Sequence, residues 1–454
     1  MKVLLVRTAR IKQAITLGEF MYSEPLGLEM VYTLLEKDHQ VEIFDMMSEE
    51  TNIEEKLKEF QPQVVGITSL CIDVLAVNAL AKDVKKYDPS IITLVGGTQA
   101  YFNHEAFFID EIDHIMKFTT SKNMIELFEY LEKGEDPTII DGIYSRVNDY
   151  QTTNVCGRNE YIRPNRESTA KYRHQYSYFG YRPAAIIGTA QGCSKTCGFC
   201  LRWRMEGHKE HYFPMEFVKE EIKNIKEETI MIIDNDFLHN GERLEELCNF
   251  LEGENIRKRF ICYASVDSII NNRKEIKRFK ELGLSAVLVG YETFKEEELK
   301  KYQKKSSVED NFEASRFLKE IKLDVWASFM LHPDWSKEDF KSFRKYLTKL
   351  DPEISTFSPL TPFPNLPLYG AYKERLLVEK ENYEQWSFGQ VTIRPSKMSL
   401  RRYYYEILKT HLYINLFGND LIYMVKRFGL STILRLSKGS IKLMIRYLKL
   451  MKEK

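Results

Sequence analysis

Gly188-Thr-Ala-Gln-Gly-Cys193-Ser-Lys-Thr-Cys197-Gly-Phe-Cys200 follows directly on the apolar run Ala184-Ala-Ile-Ile187. The stretch sets Cys193, Cys197 and Cys200 in the spacing C-x3-C-x2-C, with an aromatic, Phe199, before the last thiol. A cubane iron–sulfur cluster is normally held by four thiolates, so three ligands on one loop leave one iron open. A zinc site from the same cysteines plus His208 has suitable donors, but its spacing departs from known fingers and gives Phe199 no role. A disulfide framework fits less well. Seven cysteines is an odd count, no secretory leader is read, and Cys71, Cys156, Cys248 and Cys262 are scattered as core or surface thiols. Thiolate ligands without disulfides imply a reducing compartment, and the expected localisation is cytoplasmic.

Downstream of the cysteines, Pro214 opens a helix, as a first-turn proline can, with Val218, Ile222 and Ile225 on one face. Apolar strands are then expected over 230–237, 260–267, 286–292, 325–331 and 354–359, separated by helical segments. With the cysteine strand they make six β/α units. Functional groups of β/α barrels gather at the carboxyl ends of the strands. The cysteine loop, Asp234, Asp236, Ser265 and Glu292 all stand at such ends.

Upstream, strands over 1–6, 41–45, 64–68 and 91–97 alternate with helices over 25–35, 54–60 and 74–87. That alternation implies right-handed crossovers and a doubly wound parallel sheet, which binds ligands beyond the carboxyl ends of its strands. Two such ends carry small or hydroxyl-bearing residues: Thr68-Ser69-Leu70 and Gly96-Gly97-Thr98. Glycine there permits close backbone approach; the plainer alternative is an ordinary turn with Thr68 or Ser69 as a helix cap. The expected organisation is an α/β chain. A Rossmann-like domain over 1–145 and a linker over 146–182 precede a partial barrel over 183–398 and a helical, basic amphipathic region over 399–454.

The cysteine motif resembles that of the radical SAM superfamily, in which the open iron takes the amino and carboxylate groups of S-adenosylmethionine. The resemblance extends along nearly the whole chain. Thr68-Ser69-Leu70 and Gly96-Gly97 resemble elements of cobalamin-binding domains. Ile233-Asp-Asn-Asp-Phe237 resembles the acidic strand end that helps hold the methionine portion of the cofactor, with helix capping by Asp234 or Asp236 as the alternative. Gly290-Tyr-Glu292 resembles the strand end whose glutamate contacts the ribose. Thr361-Pro-Phe-Pro-Asn-Leu-Pro-Leu-Tyr369 resembles the turn after the last strand, with Asn365 in place of glycine. Three departures accompany these likenesses. No D-x-H-x-x-G cobalt-ligating motif occurs, and Asp113-His114 has the wrong spacing. Lys117-Phe-Thr-Thr-Ser-Lys122 stands where the subgroup often has G-E-G-E. Ser265 occupies a position where many relatives carry arginine.

The resemblance implies a 4Fe-4S cluster, S-adenosylmethionine and cobalamin as cofactors. It also implies reductive formation of a 5′-deoxyadenosyl radical that abstracts hydrogen, methyl transfer from cobalamin to an unactivated carbon, and an electron donor such as flavodoxin or ferredoxin. Cyclisation or rearrangement with the same parts, and a non-enzymatic cobalamin or redox sensor, are the rival readings. Equal numbers of basic and acidic residues, 66 each, argue against nucleic acid as a partner and leave a small molecule as the expected one. No apolar run approaches the roughly 20 residues that span a bilayer. The charge is unevenly spread: from Leu421 onward nine Lys or Arg face one acid, Glu453. Ile441, Met444, Ile445, Leu448 and Met451 share one helical face; Lys438, Lys442, Arg446, Lys449 and Lys452 share another. The expectation is a helix docked on the acidic body of the protein and divided by Gly429 and Gly439, with peripheral contact to an anionic membrane as the alternative. The basic region and the aromatic run from Tyr403 to Phe417 point to a lipid or isoprenoid substrate.

Overall fold

Val3, Leu4, Leu5 and Val6 are all buried, and they alternate between two separate apolar clusters. A strand covered on both faces has no polar side, which is why its sequence reads as a continuous apolar run. The computed structural model describes residues 1–9, 21–151, 157–364, 366–418 and 421–452; Cys156 and Asn365 lie outside these. Two compact units emerge. One takes Ser23–Tyr176 with the first strand and Glu379–Ser387; the other takes Ser177–Val378 and Phe388–Lys454.

The first unit holds six strands: β1 (Lys2–Arg7), β2 (Gln40–Asp45), β3 (Val64–Thr68), β4 (Ile92–Gly96), β5 (His114–Met116) and β6 (Ile143–Ser145). Their order is β2-β1-β3-β4-β5-β6, parallel except for β6, which runs antiparallel to β5. Order 2-1-3-4-5 is a doubly wound arrangement whose switch point lies between β1 and β3. β5, β6 and the helix Ser121–Lys133 extend beyond the elements expected from the sequence. The helix begins with a reciprocal cap between Thr120 and Asn123, within the stretch that stands in for G-E-G-E.

Within the expected linker, residues 157–176 are packed into the first unit. Thr169, Tyr172 and Tyr176 are buried in the first unit. The Tyr172 hydroxyl donates to Glu49 at 2.6 Å and Tyr176 donates to Asp45 at 3.2 Å. Hydroxyl-tipped aromatics hold this segment down without any periodic pattern.

The second unit opens with β7 (Ala184–Ile187) and a short antiparallel ribbon of β8 (Ala190–Gln191) and β9 (His211–Tyr212). Then come β10 (Thr229–Ile232), β11 (Arg259–Ala264), β12 (Leu284–Glu292), β13 (Asp324–Leu331) and β14 (Ile354–Pro359). The ribbon apart, the six strands form one wholly parallel sheet in the sequential order β7-β10-β11-β12-β13-β14. This is the expected set of six β/α units. Reciprocal Ser–Asp caps start the helices Val308–Glu320, at Ser307 and Asp310, and Lys337–Leu350, at Ser336 and Asp339.

The basic region differs from its sequence reading in two respects. Gly429, at φ 77°, does start a new helix, but Gly439 lies inside the continuous helix Leu430–Leu450. A single glycine costs about 1 kcal/mol in a helix, too little to break one carried by packing. The buried contacts are made by Ile433 and Tyr447, with Tyr447 donating to Gly389 O at 2.9 Å, while Ile441, Ile445 and Leu448 are exposed. The apolar face expected to dock is thus turned away from the unit's own core. Among the described residues no helix is long and apolar enough to cross a membrane.

Candidate functional site

The cysteine loop leaves the carboxyl end of β7 and is pinched at its base by the β8–β9 ribbon. Gly192, at φ 87°, makes the turn; a Cβ there would overlap Lys209 O, so only glycine fits. Asn235, just beyond β10, donates to Gly192 O at 2.9 Å and to Glu206 at 2.7 Å. Ser194 N donates to Glu210 at 2.8 Å, Cys200 N to Cys197 O at 3.1 Å, and the Trp203 indole to Cys197 O at 3.0 Å. Phe199 meets the Tyr302 ring edge-on at 5.6 Å, and Gly198 N donates to Tyr302 O at 3.3 Å. Phe199 therefore anchors the loop to the unit's interior.

Cys193 and Cys197 are buried and Cys200 is half-buried; all three are free thiols. Burial pushes Cys193 up to about 11 and raises Cys197 as well. A metal ion deprotonates such thiols on binding. Among the described residues no three His, Cys, Asp or Glu side chains converge as they would around one metal ion, and His208 is exposed. A cubane takes each thiolate on a different iron, and this loop supplies three of the four that such a cluster normally has.

Each polar strand end expected from the sequence lies at the carboxyl edge of the same parallel sheet, though several are occupied internally. Asp234 accepts from Thr189 N at 2.7 Å and from the Thr189 hydroxyl, and burial raises its carboxyl to about 6. Asp236 accepts from Ser265 N at 2.9 Å, Ser265 Oγ at 2.8 Å, Ser268 Oγ at 2.7 Å and Lys195 Nζ. Neither aspartate caps a helix by its side chain: Asn240 caps Gly241–Gly253, and Ser265 caps Val266–Asn271. Glu292 sits at φ 65°, an uncommon conformation for a residue with a side chain, where β12 and β13 shift register. Its carboxylate pairs with Lys304 Nζ at 2.9 Å.

Two cations, the buried Lys195 and the half-buried Lys304, escape the sequence reading. Lys195 is a spacer residue of the cysteine motif. Its ammonium reaches Asp236, Ser265 and Ser268, and Asp267 at 3.0 Å. A lysine from the loop thus brings positive charge to Ser265. Burial opposes the charge on Lys304, and its pKa is nonetheless raised by Glu292 and by the nearby Cys197. Lys304 lies in the run Lys300-Lys-Tyr-Gln-Lys-Lys305, which reads as a solvated surface stretch.

In the first unit, the two strand ends touch. Ser69 Oγ donates to Gly96 O at 2.7 Å and Gln99 N donates to Ser69 O at 3.1 Å. Gly97 has φ 99° and ψ −173°, a region essentially reserved for glycine. A Cβ on it would lie 2.8 Å from both Ser69 N and Ser69 O and 2.9 Å from Thr68 Oγ1. Thr68 ends β3, and Leu70 beside it is exposed. His114 is buried in β5, and burial lowers it to about 4. An exposed apolar side chain and bare glycine backbone thus meet at the adjacent carboxyl ends of β3 and β4, where a bulky ligand tail can approach the backbone.

Residues 187–347 match the radical SAM superfamily and residues 20–125 match the B12 binding domain. The chain carries a radical SAM domain and a B12 binding domain. Its cofactors are accordingly a 4Fe-4S cluster, S-adenosylmethionine and cobalamin. It is 27% identical over 403 residues to the hopanoid C-3 methylase of Methylococcus capsulatus, covering 86% of this chain and 76% of that protein. It is 22% identical over 370 residues to the anaerobic magnesium-protoporphyrin IX monomethyl ester cyclase of Cereibacter sphaeroides, covering 78% of this chain and 60% of the cyclase. Its fold is that of the cobalamin-dependent S-adenosylmethionine radical enzyme OxsB, with TM-score 0.71, 17% identity, and coverage of 98% of this chain and 72% of OxsB. The methyltransferase TsrM of Kitasatospora setae has the same fold, with TM-score 0.69, 15% identity, and coverage of 91% of this chain and 89% of TsrM. The radical SAM domain and the methylase and cyclase relatives indicate an enzyme and count against the sensor reading.

Proposed function

We propose that this enzyme methylates an unactivated carbon of a lipid or isoprenoid, with Cys193, Cys197 and Cys200 as the cluster ligands. The observation that carries the reading is a C-x3-C-x2-C loop of three free thiols, two of them buried, at the carboxyl edge of a sequential parallel sheet. Likeness to a hopanoid C-3 methylase over 86% of the chain supports the substrate class. When bound, the cluster and S-adenosylmethionine supply radical chemistry and cobalamin supplies the methyl group; the polypeptide contributes ligation and positioning.

In this reading Lys195 and Lys304 face the carboxylate-bearing cofactor. Lys195, held by Asp236 and Ser265, supplies the positive charge that an arginine supplies at that strand end in many relatives. Glu292, turned by its positive φ and steadied by Lys304, is aimed at the ribose. Phe199 and Asp234 position the loop and the β7 end without touching cofactor. Thr68, Ser69, Leu70, Gly96 and Gly97 line the cobalamin tail. A flavodoxin or ferredoxin type protein donates the electrons.

Lys195→Met is expected to weaken S-adenosylmethionine binding by roughly tenfold to a hundredfold, because a buried charge-assisted contact is lost. Iron content should be retained, and Lys195→Arg should restore binding; equilibrium binding and iron analysis on the same samples check both. The reaction itself is read from product mass. A gain of one CH2 per turnover is the expected result, with 5′-deoxyadenosine released. A product without that gain would favour the cyclase-type reaction, which the Cereibacter sphaeroides relative makes the runner-up.

A further inference from the structure

The helix Leu430–Leu450 carries more apolar surface than its own unit covers. Ile433 and Tyr447 face inward, yet Leu434, Ile441, Ile445 and Leu448 form a second stripe, each about half exposed. At 100° per residue these four side chains fall within one narrow arc. Lys438, Lys442 and Lys449 are exposed and occupy the arc immediately beside it. No acidic residue occurs anywhere in Leu430–Leu450. The helix Leu400–Tyr413, which packs against it, likewise leaves Tyr405 and Leu412 exposed.

We propose that this stripe and its flanking lysines dock the enzyme peripherally on an anionic lipid bilayer. An interfacial helix buries an apolar face at the level of the headgroups while its Lys and Arg meet acidic lipid. Charge complementarity selects that occupant. A second copy of the chain would bring the same three lysines and the same want of acids to the contact, and like charges oppose such pairing. The inference stands apart from the substrate assigned above, because it concerns binding without turnover.

The test uses the full-length holoenzyme and sedimentation with vesicles of phosphatidylcholine, alone or mixed with phosphatidylglycerol. The protein is expected to sediment with the mixed vesicles, to stay in solution with phosphatidylcholine alone, and to be released by high salt. Replacing the three lysines together (Lys438→Glu, Lys442→Glu, Lys449→Glu) should lower partitioning by about a hundredfold. Ile441→Asp with Ile445→Asp should abolish it; both sites are exposed, so melting temperature and lipid-free S-adenosylmethionine cleavage should be unchanged. Failure of the wild type to sediment with anionic vesicles would overturn the proposal. So would sedimentation that neither variant alters, or a dimer in solution that the apolar variant splits while vesicles go unbound.

Discussion

Replacing Cys193, Cys197 or Cys200 by alanine is expected to reduce cluster iron and S-adenosylmethionine cleavage to background, each substitution alone being sufficient. The expectation follows from arithmetic at the site. With only three protein thiolates, loss of one leaves two, and no fourth cysteine of the described residues lies in the loop to substitute. Cys248 and Cys262 are buried in the unit's core, with their thiols pushed up by burial. Cys248→Ala therefore serves as the control. It should keep full iron and cost about 1 kcal/mol in stability. Iron and sulfide analysis with quantified 5′-deoxyadenosine separates the two classes. A Cys197→Ala enzyme that still cleaved S-adenosylmethionine would refute the ligand assignment.

Gly97→Ala should cost the first unit about 2–4 kcal/mol and remove cobalamin from the purified protein. Two effects add there: a backbone region closed to side chains, and a Cβ driven 2.8 Å from the backbone of Ser69. Gly96→Ala is the contrast. Its Cβ would meet nothing closer than Met116 O at 3.8 Å, so thermal stability should be kept. Unfolding curves and the visible spectrum of bound cobalamin check the pair. Equal behaviour of the two variants would contradict the geometry at the ends of β3 and β4.

The sheets were legible because their strands are covered on both faces. β1, β3 and β13 read as apolar runs for the same reason that they are buried. β5 and β6 were not legible, since three residues each are too short to show a period. The helix Ser121–Lys133 was legible and passed over: Met124, Leu127, Phe128 and Leu131 stand at i, i+3, i+4 and i+7 and are all buried. At the site, the cysteine spacing and the acidic strand ends stood out as residue types in unusual places. Lys195 and Lys304 did not, because a lysine between cysteines or in a charged run looks solvated until a fold surrounds it with carboxylates. Asp234 shows the converse. Its position at a strand end suggested a ligand contact, and the structure turns both of its oxygens to Thr189.

The most direct test of the three-thiolate cluster is electron paramagnetic resonance on the anaerobically reconstituted, reduced enzyme, before and after addition of S-adenosylmethionine. The account predicts about four iron per chain and a 4Fe-4S spectrum that shifts when the nucleotide occupies the open iron. Zinc in place of iron, or an iron spectrum indifferent to S-adenosylmethionine, would contradict it.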